Sequence, residues 1–306
     1  MQTIAYRGWL NCFRLANQRI ELIATGDVGP RIVHLSVPGG ENIFGLLPDE
    51  AGQTGGDEFR IYGGHRLWHA PEAMPRTYFP DNAPVEAVMD GNTLRLIPPP
   101  ETTTGIQKEI DVTLIGDQPH VEVRHILENT GLWTIELAPW AISVMSLGGV
   151  AIMPQSDWPS PDGLLPNRAL SLWPYSDMRD PRVHWGSRHI LLRQDPAVEP
   201  PFKIGLNDTS GWAAYWRANQ LFVKCFDYEV ACEYPDNGCS VESYTCGRFQ
   251  ELETLGPLVL LEPGEAVEHV EHWFLYDEVG AIESEDAVER IVRPLAEEAL
   301  KQSFPV

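Results

Sequence analysis

The stretch FQELETLGPLVLLEPGEAVEHVEHWFLY, residues 249–276, decides the fold class. Leu258–Leu261 and Val267–Tyr276 flank a Pro-Gly pair, which predicts two strands joined by a turn. Glu251 and Glu253 lie two positions apart just before them, and residues two apart in a strand point to one face. Two such carboxylates repel each other, so at least one should have a raised pKa and suit a general base. The alternative is that both face solvent at a sheet edge.

The same β-rich pattern recurs along the chain. Apolar and polar residues alternate in segments that predict strands at Arg19–Ile23, Arg31–Val37, Thr93–Ile97, Gln107–Ile115, His120–Leu127, Gln220–Glu233 and Cys239–Thr245. Turn signals at Gly116-Asp117 and at Asp236-Asn237-Gly238 predict hairpins between the strands on either side. The long helices that parallel strands require are missing from the pattern. We therefore predict an all-β fold, one domain over residues 1–306, built as a large antiparallel β-sandwich.

One helix is predicted at the C-terminus. Ser284 can cap its first turn, and apolar residues then follow helical spacing as far as Leu300. Pro294 inside this run predicts a kink or a break. We expect the helix to pack on the outside of the sheets.

Composition excludes several classes of function. The chain has 22 Lys and Arg against 44 Asp and Glu, a formal net charge of −22, so it should repel nucleic acid and anionic membrane surfaces. No apolar run is long enough to span a bilayer, and the first residues lack a signal-peptide pattern. The five cysteines match no metal or redox spacing. We expect a cytoplasmic protein with reduced thiols, present as a monomer or homodimer.

The stretch FRIYGGHRLWHAPE, residues 59–72, groups cations, histidines and an aromatic ring. Histidine exchanges protons near neutral pH, arginine holds hydroxyl or carboxylate oxygens, and tryptophan stacks on a sugar face. The candidates for ligand binding or catalysis are Arg60, His65, Arg66, Trp68 and His69. The alternative is a turn with one histidine bonded to backbone and the other in solvent.

Metal binding is a further alternative for the histidines. His65 and His69, or His269 and His272, have a spacing that suits a helix, but neither segment is predicted helical. In a strand, His269 and His272 point to opposite faces. A zinc site also needs a third ligand, and the sequence proposes none clearly. We therefore expect no metal.

Two lysines lie in apolar strand-like runs, in a chain with only four lysines. Lys203 and Lys224 need partners if they are buried, and Glu242, Glu251 and Glu253 are the candidates. The alternative is that both lysines point outward from half-exposed strands.

Aromatic residues add further candidates. Trp140 follows a proline at a predicted strand end, where it can floor a pocket or simply belong to the core. Trp212 follows Lys203 within the same stretch of the sequence, residues 201–224, and is a second ligand-binding candidate. The segment 147–201 is rich in Pro, Gly, Trp and Asp, and long ordered loops on a β scaffold usually build a binding site.

Three stretches resemble the galactose mutarotase-like superfamily, which includes aldose 1-epimerases, and within it an uncharacterised DUF4380-like branch. They are IELIATGDVGPRIVHLSVPGGENIFG (20–45), FRIYGGHRLWHAPE (59–72) and ELETLGPLVLLEPGE (251–265). The resemblance implies a mutarotase-like supersandwich that binds a small carbohydrate without a cofactor. It also implies that Glu253 is the base on the anomeric hydroxyl and that Arg60 holds the sugar.

The chain departs from the family at both histidines. The first family histidine precedes the glycine pair, where Tyr62 stands here, and the second falls at Ala138-Pro139-Trp140. Ring opening needs a proton on the ring oxygen, so we expect His65 to supply it, with His69 or Lys203 as substitutes. The predicted function is aldose 1-epimerisation or a related sugar epimerisation. The alternatives are a non-catalytic carbohydrate-recognition protein and a metal-dependent sugar isomerase or lyase.

Overall fold

The computed structural model describes residues 2–304 and consists mainly of β-strands. The strands, in chain order, are β1 (Gln2–Tyr6), β2 (Trp9–Ala16), β3 (Glu21–Thr25), β4 (Arg31–Ser36), β5 (His65–Ala70), β6 (Glu86–Asp90), β7 (Thr93–Ile97), β8 (Ile106–Leu114), β9 (His120–Asn129), β10 (Ile135–Met145), β11 (Val150–Pro154), β12 (Leu170–Leu172), β13 (Val183–Trp185), β14 (His189–Arg193), β15 (Phe202–Leu206), β16 (Trp212–Arg217), β17 (Gln220–Phe226), β18 (Val241–Thr245), β19 (Gln250–Leu255), β20 (Val259–Leu261) and β21 (Ala266–Tyr276). Short helical turns occur at Pro161–Gly163 and Pro235–Gly238.

The strands form two antiparallel sheets. The first has the order β1-β2-β3-β4-β5-β10-β19-β18-β15-β12, with β20 added beside β10. The second has the order β13-β14-β11-β16-β17-β21-β9-β8-β7-β6. The main hydrophobic core draws on both sheets, for example Leu35 and Leu252 from the first and Ile110 and Phe222 from the second. The predicted all-β antiparallel sandwich is confirmed.

The C-terminal helix packs on the outer face of the second sheet, as predicted. It comprises a first turn Glu285–Ala287, a π-helical stretch Val288–Val292 and an α-helical part Arg293–Ser303. Its apolar face joins a cluster with residues of β11, β16 and β17. The helix continues past Pro294, and the hydrogen-bond pattern widens to the π type just before it, where proline offers no N–H. No described helix has the length and apolar character needed to span a membrane.

Substitution of Ser284 by alanine should lower the free energy of unfolding by about 1 kcal/mol. The Ser284 hydroxyl accepts a hydrogen bond from the Ala287 N–H at 3.3 Å, and alanine leaves that N–H without this partner. Urea denaturation of the two proteins measures the difference. Ser284→Asp keeps an acceptor and is the matched control. A loss of equal size in both variants would contradict a capping role.

Two turns were predicted correctly, but their strands pair elsewhere. Asp236 and Asn237 adopt positive φ, as a tight turn requires. However, β17 ends at Phe226 and belongs to the second sheet, whereas β18 belongs to the first, so the predicted hairpin is wrong. The turn before β21 likewise passes from the first sheet to the second. Turn chemistry fixes the reversal of the chain but not which sheet receives the next strand.

Candidate functional site

Neighbouring strands of the first sheet place polar residues in rows on its outer face. Residues paired across a sheet point to the same side. One row pairs Arg66 of β5 through Ile142 with Glu253 of β19 and then with Glu242 of β18. A parallel row pairs Glu251 through Tyr244 with Lys203 of β15. The register of β19 against β10 and β18 is continuous over all its residues, so Glu251 and Glu253 face the same side.

Arg66, Ile142, Lys203, Tyr244 and Glu251 of these rows form the floor of a cleft with a cavity of about 200 Å³. Glu242 and Glu253 are fully buried and contact the floor through Lys203. Most of the cleft wall is aromatic, and its charged members are an arginine, a lysine and two glutamates. The lining residues are Phe59, Ile61, Arg66, Trp68, Glu72, Tyr78, Trp140, Ile142, Tyr175, Lys203, Tyr244, Phe249 and Glu251. Aromatic faces beside a few polar groups are the usual composition of a site for a small polar ligand.

Lys203 is the cation at the centre of the floor. Its Nζ lies 2.7 Å from Glu242 Oε2 and 3.1 Å from Glu253 Oε2, and it sits 4.5 Å from the ring centres of both Trp140 and Trp173. The indole N–H of Trp140 also donates to Glu253 Oε2, at 2.8 Å. Burial lowers the pKa of Lys203, but the two carboxylates outweigh it and hold that pKa well above its usual range. The side chain is therefore a fixed ammonium ion.

Arg66 and Glu251 form a second buried ion pair on the cleft floor. The Arg66 Nη2 donates to Glu251 Oε1 at 3.0 Å, and the guanidinium stacks 4.3 Å from the Trp68 ring centre. Burial and the charge of Glu253 together outweigh the lowering by Arg66 and raise the pKa of Glu251 to about 7. Glu251 therefore exchanges a proton near neutral pH.

Several buried polar atoms of the floor and of the residues directly behind it lack hydrogen-bond partners among the described residues. They include Nε and Nη1 of Arg66, which are donors, and Oε1 of Glu253 and of Glu242, which are acceptors. An unsatisfied buried polar group costs about 1–3 kcal/mol. Unsatisfied donors and acceptors therefore lie close together at the cleft. A ligand with hydroxyl groups, which both donate and accept hydrogen bonds, can satisfy them.

Comparison with solved structures addresses the fold. No protein-family model matches the chain, and no curated protein matches it. A galactose mutarotase-like protein from Lactobacillus casei ATCC 334 superimposes with a TM-score of 0.55 at 8% identity, over 87% of this chain and 100% of that one. A second, from Clostridium acetobutylicum, gives 0.52 at 13% identity, over 87% and 95%. The fold is that of the galactose mutarotase-like proteins.

The same fold also occurs inside a longer protein. A TPR-domain containing protein from Parabacteroides distasonis ATCC 8503 superimposes with a TM-score of 0.59 at 13% identity, over 88% of this chain. The matched part is 47% of that protein, so this chain spans about half of its length. The predicted superfamily resemblance is confirmed at the level of the fold. The DUF4380-like branch stays a prediction.

Within the mutarotase-like fold, the predicted histidines lie on the other side of the sheet. Strand β5 begins at His65, so His65 and His69 point to the inner face while Arg66 and Trp68 point to the cleft. His65 has no exposed surface, and its Nδ1 is 2.8 Å from the hydroxyl of Ser143. It cannot serve as the acid of the cleft, and this expectation is corrected.

His69 and Lys224 are likewise separated from the cleft. His69 pairs with Glu101 at 3.2 Å and borders another cavity, of about 300 Å³, at the edge of the inner space. Lys224 lies between the sheets, 2.8 Å from Glu271. Both residues were predicted to bind ligand, and the alternating directions of side chains along a strand place them in the interior instead.

A polar network fills the interior behind the cleft. The described residues include one group with metal-ligand atoms within 4.8 Å of one another: His65, His125 and Glu271. The two Nε2 atoms are 2.6 Å apart, and His125 Nδ1 lies 2.9 Å from the carbonyl of His269. A carbonyl only accepts, so His125 donates through Nδ1 and its Nε2 accepts from His65.

This hydrogen-bond chain is complete with neutral histidines. Glu271 also has its own donors, from Lys224, Thr254 and Trp273. A cation bound there would displace these bonds and lie close to the ammonium of Lys224. The network is therefore satisfied as a hydrogen-bonded core.

Two other predicted residues lie elsewhere. Arg60 donates to the carbonyl of Gly55 and to the hydroxyl of Tyr62, and it does not line the cleft. Trp212 belongs to the second sheet and packs in the cluster beneath the C-terminal helix. Of the predicted residues, the structure brings together Arg66, Trp68, Trp140, Lys203, Glu242, Glu251 and Glu253.

Sequence reasoning missed part of the aromatic wall. Trp173 and Tyr175 come from the segment 147–201, whose composition did predict a binding loop. Phe59 and Tyr78 pack against Trp68 with ring centres 5.4 and 5.2 Å away. Nothing in their local sequence marks these rings, because strand pairing and loop packing over long separations bring them together.

Proposed function

We propose that the protein binds a sugar in this cleft and interconverts its anomers. The observation that carries the proposal is an aromatic-walled cavity lined by Arg66, which keeps free donor atoms. Directly behind its lining residues Lys203 and Trp140 lies the Glu253 carboxylate, which keeps a free acceptor. Sugar hydroxyls can accept from the arginine and donate to the glutamate, while an apolar sugar face stacks on an aromatic ring. The mutarotase-like neighbours support a role of this class.

Glu253 is the proposed base. Its Oε2 accepts hydrogen bonds from the Trp140 indole and the Lys203 ammonium, which hold the carboxyl group in place. Its Oε1 is free to accept the proton of the anomeric hydroxyl. Loss of that proton while the ring oxygen gains one opens the ring, and closure on the other face gives the other anomer.

Glu253→Gln should lower the rate of anomer exchange at least about a hundredfold, because glutamine keeps the shape but cannot take the proton. Free hexoses and pentoses would first be screened by thermal shift. NMR exchange spectroscopy on any stabilising sugar would then measure the rate. Glu283→Gln, at an exposed position outside the cleft, is the matched control and should keep the wild-type rate.

A second candidate is a non-catalytic carbohydrate-recognition protein. The observation that favours it is that no histidine occurs among the described residues that line the cleft. It predicts stabilisation by a sugar with no faster exchange, and no difference between wild type and Glu253→Gln. That result would overturn the epimerase and keep the sugar site. Absence of any stabilising sugar would overturn both.

A further inference from the structure

We infer that Glu251 is the catalytic acid of the cleft, so that two glutamates of one strand replace the glutamate and histidine of the expected mechanism. This inference rests on the proposed epimerase function. It concerns the residue that protonates the ring oxygen, which the sequence assigned to His65. The structure places His65 between the sheets, and the proton must come from another group.

Position is the first argument. Glu251 lines the cavity, and it shares a strand and a face with Glu253, two residues away. Two residues along a strand span about 6.6 Å, so two carboxyl groups can reach neighbouring oxygens of one sugar ring. Only one oxygen of Glu251 is engaged: Oε1 accepts from Arg66, and Oε2 accepts no hydrogen bond from any described residue.

The other proton donors of the cavity are poorly suited. Lys203 is held as an ammonium ion by Glu242 and Glu253. Burial raises the pKa of Tyr78, Tyr175 and Tyr244 above the usual tyrosine range, so these hydroxyls give up a proton reluctantly. Glu72 is exposed at the rim, and its carboxylate accepts a hydrogen bond from the hydroxyl of Tyr78.

The charges around Glu251 keep its proton available near neutral pH. Arg66 favours the ionised form, and so does Lys203 of β15, two strands away in the same sheet. Burial opposes them, as do the negative charges of Glu253 and Glu72. The balance gives Glu251 a pKa of about 7, and a general acid works best when its pKa lies near the working pH.

The step balances without any further reagent. Glu251 gives its proton to the ring oxygen as the bond from the anomeric carbon to that oxygen breaks, with the electron pair passing to the oxygen. Glu253 takes the anomeric hydroxyl proton, and a carbonyl forms at the anomeric carbon. After rotation about the adjacent carbon–carbon bond, the reverse transfers close the ring and restore both carboxyl groups.

The test compares wild type with Glu251→Gln, Glu253→Gln and Glu283→Gln by NMR anomer exchange between about pH 5.5 and 9. In wild type, kcat should fall about tenfold per pH unit above about pH 7, as Glu251 loses its proton. Glu251→Gln should lower kcat about a hundredfold with little change in KM, because the amide oxygen still accepts from Arg66. It should also lose the alkaline decline.

A direct titration keeps the inference testable if Glu251→Gln folds poorly. The carboxyl carbon of Glu251 in ¹³C-labelled wild type should titrate with a midpoint near 7 that matches the alkaline decline. Exchange in Glu251→Gln at the wild-type rate, or an unchanged alkaline decline, would overturn the inference while the loss in Glu253→Gln keeps the proposed function. Absence of exchange in wild type with every sugar would overturn both.

Discussion

Substitution of Lys224 by methionine is expected to lower the free energy of unfolding by about 3–5 kcal/mol at neutral pH. Lys224 has no exposed surface, and its Nζ lies 2.8 Å from Glu271 Oε1 and 3.3 Å from the carbonyl of Leu252. Methionine fills similar space but leaves the Glu271 carboxylate buried without its cation. Urea denaturation at pH 7 measures the loss, with the exposed Lys301→Met as the matched control.

The pH dependence identifies the cause. Burial is the largest single influence and raises the pKa of Glu271, but Lys224 together with His125 and His269 more than offsets it and brings that pKa down to about 2. A folded pKa below the unfolded value stabilises the protein above the unfolded value of about 4.3, and the contribution is lost as the pH falls toward 2. In Lys224→Met, burial without the cation should raise the folded pKa of Glu271, so the difference between wild type and variant should shrink as the pH falls from 7 toward 2. A constant difference would indicate lost packing instead of lost charge.

Lys203→Met should have an effect of similar size, about 3–5 kcal/mol at pH 7, on the cleft side of the same sheet. The lysine is the cation in contact with both Glu242 and Glu253, and neither glutamate has exposed surface. Burial already holds the pKa of Glu242 well above its usual range, and Lys203 opposes burial, so loss of the ammonium should raise that pKa further. Because a raised folded pKa favours the folded state at low pH, the destabilisation should be smaller at about pH 5 than at about pH 7.5.

Matched variants separate charge from packing at this position. Glu242→Gln in the Lys203→Met background removes one of the two unpaired carboxylates and should recover part of the lost stability. Lys301→Met again reports the cost of losing an exposed lysine. Equal destabilisation at both pH values, with no recovery in the double variant, would show that Lys203 acts mainly through its contacts with the tryptophan rings.

The sequence predicts the fold class well because alternation and turn chemistry are local properties. The strand Thr93–Ile97, the hairpin around Gly116-Asp117 and the capped C-terminal helix all occur as predicted. The hairpin at Asp236-Asn237-Gly238 does not occur, because the strands on either side pair with strands that are distant in the sequence. A local sequence pattern cannot predict such long-range pairing.

The residues of the site were likewise predicted only in part. Both glutamates of β19 and the lysine of β15 were predicted, because buried charges in apolar runs need partners. The stretch after the glycine pair was also singled out, but its side chains were assigned to one site. A strand that begins at His65 sends Arg66 and Trp68 to one face and the two histidines to the other. Alternation along any strand causes this separation, and the sequence pattern did not predict a strand at this stretch.

The pairing of Arg66 with Glu251 joins residues 185 positions apart. During synthesis, the chain must therefore expose β5 and β10 for as long as the ribosome takes to deliver β19. Sheets with such high contact order fold slowly, and open strand edges invite association with other chains. The cleft cannot exist in nascent chains that end before residue 255, so this part of the molecule depends most on protection while it is being made.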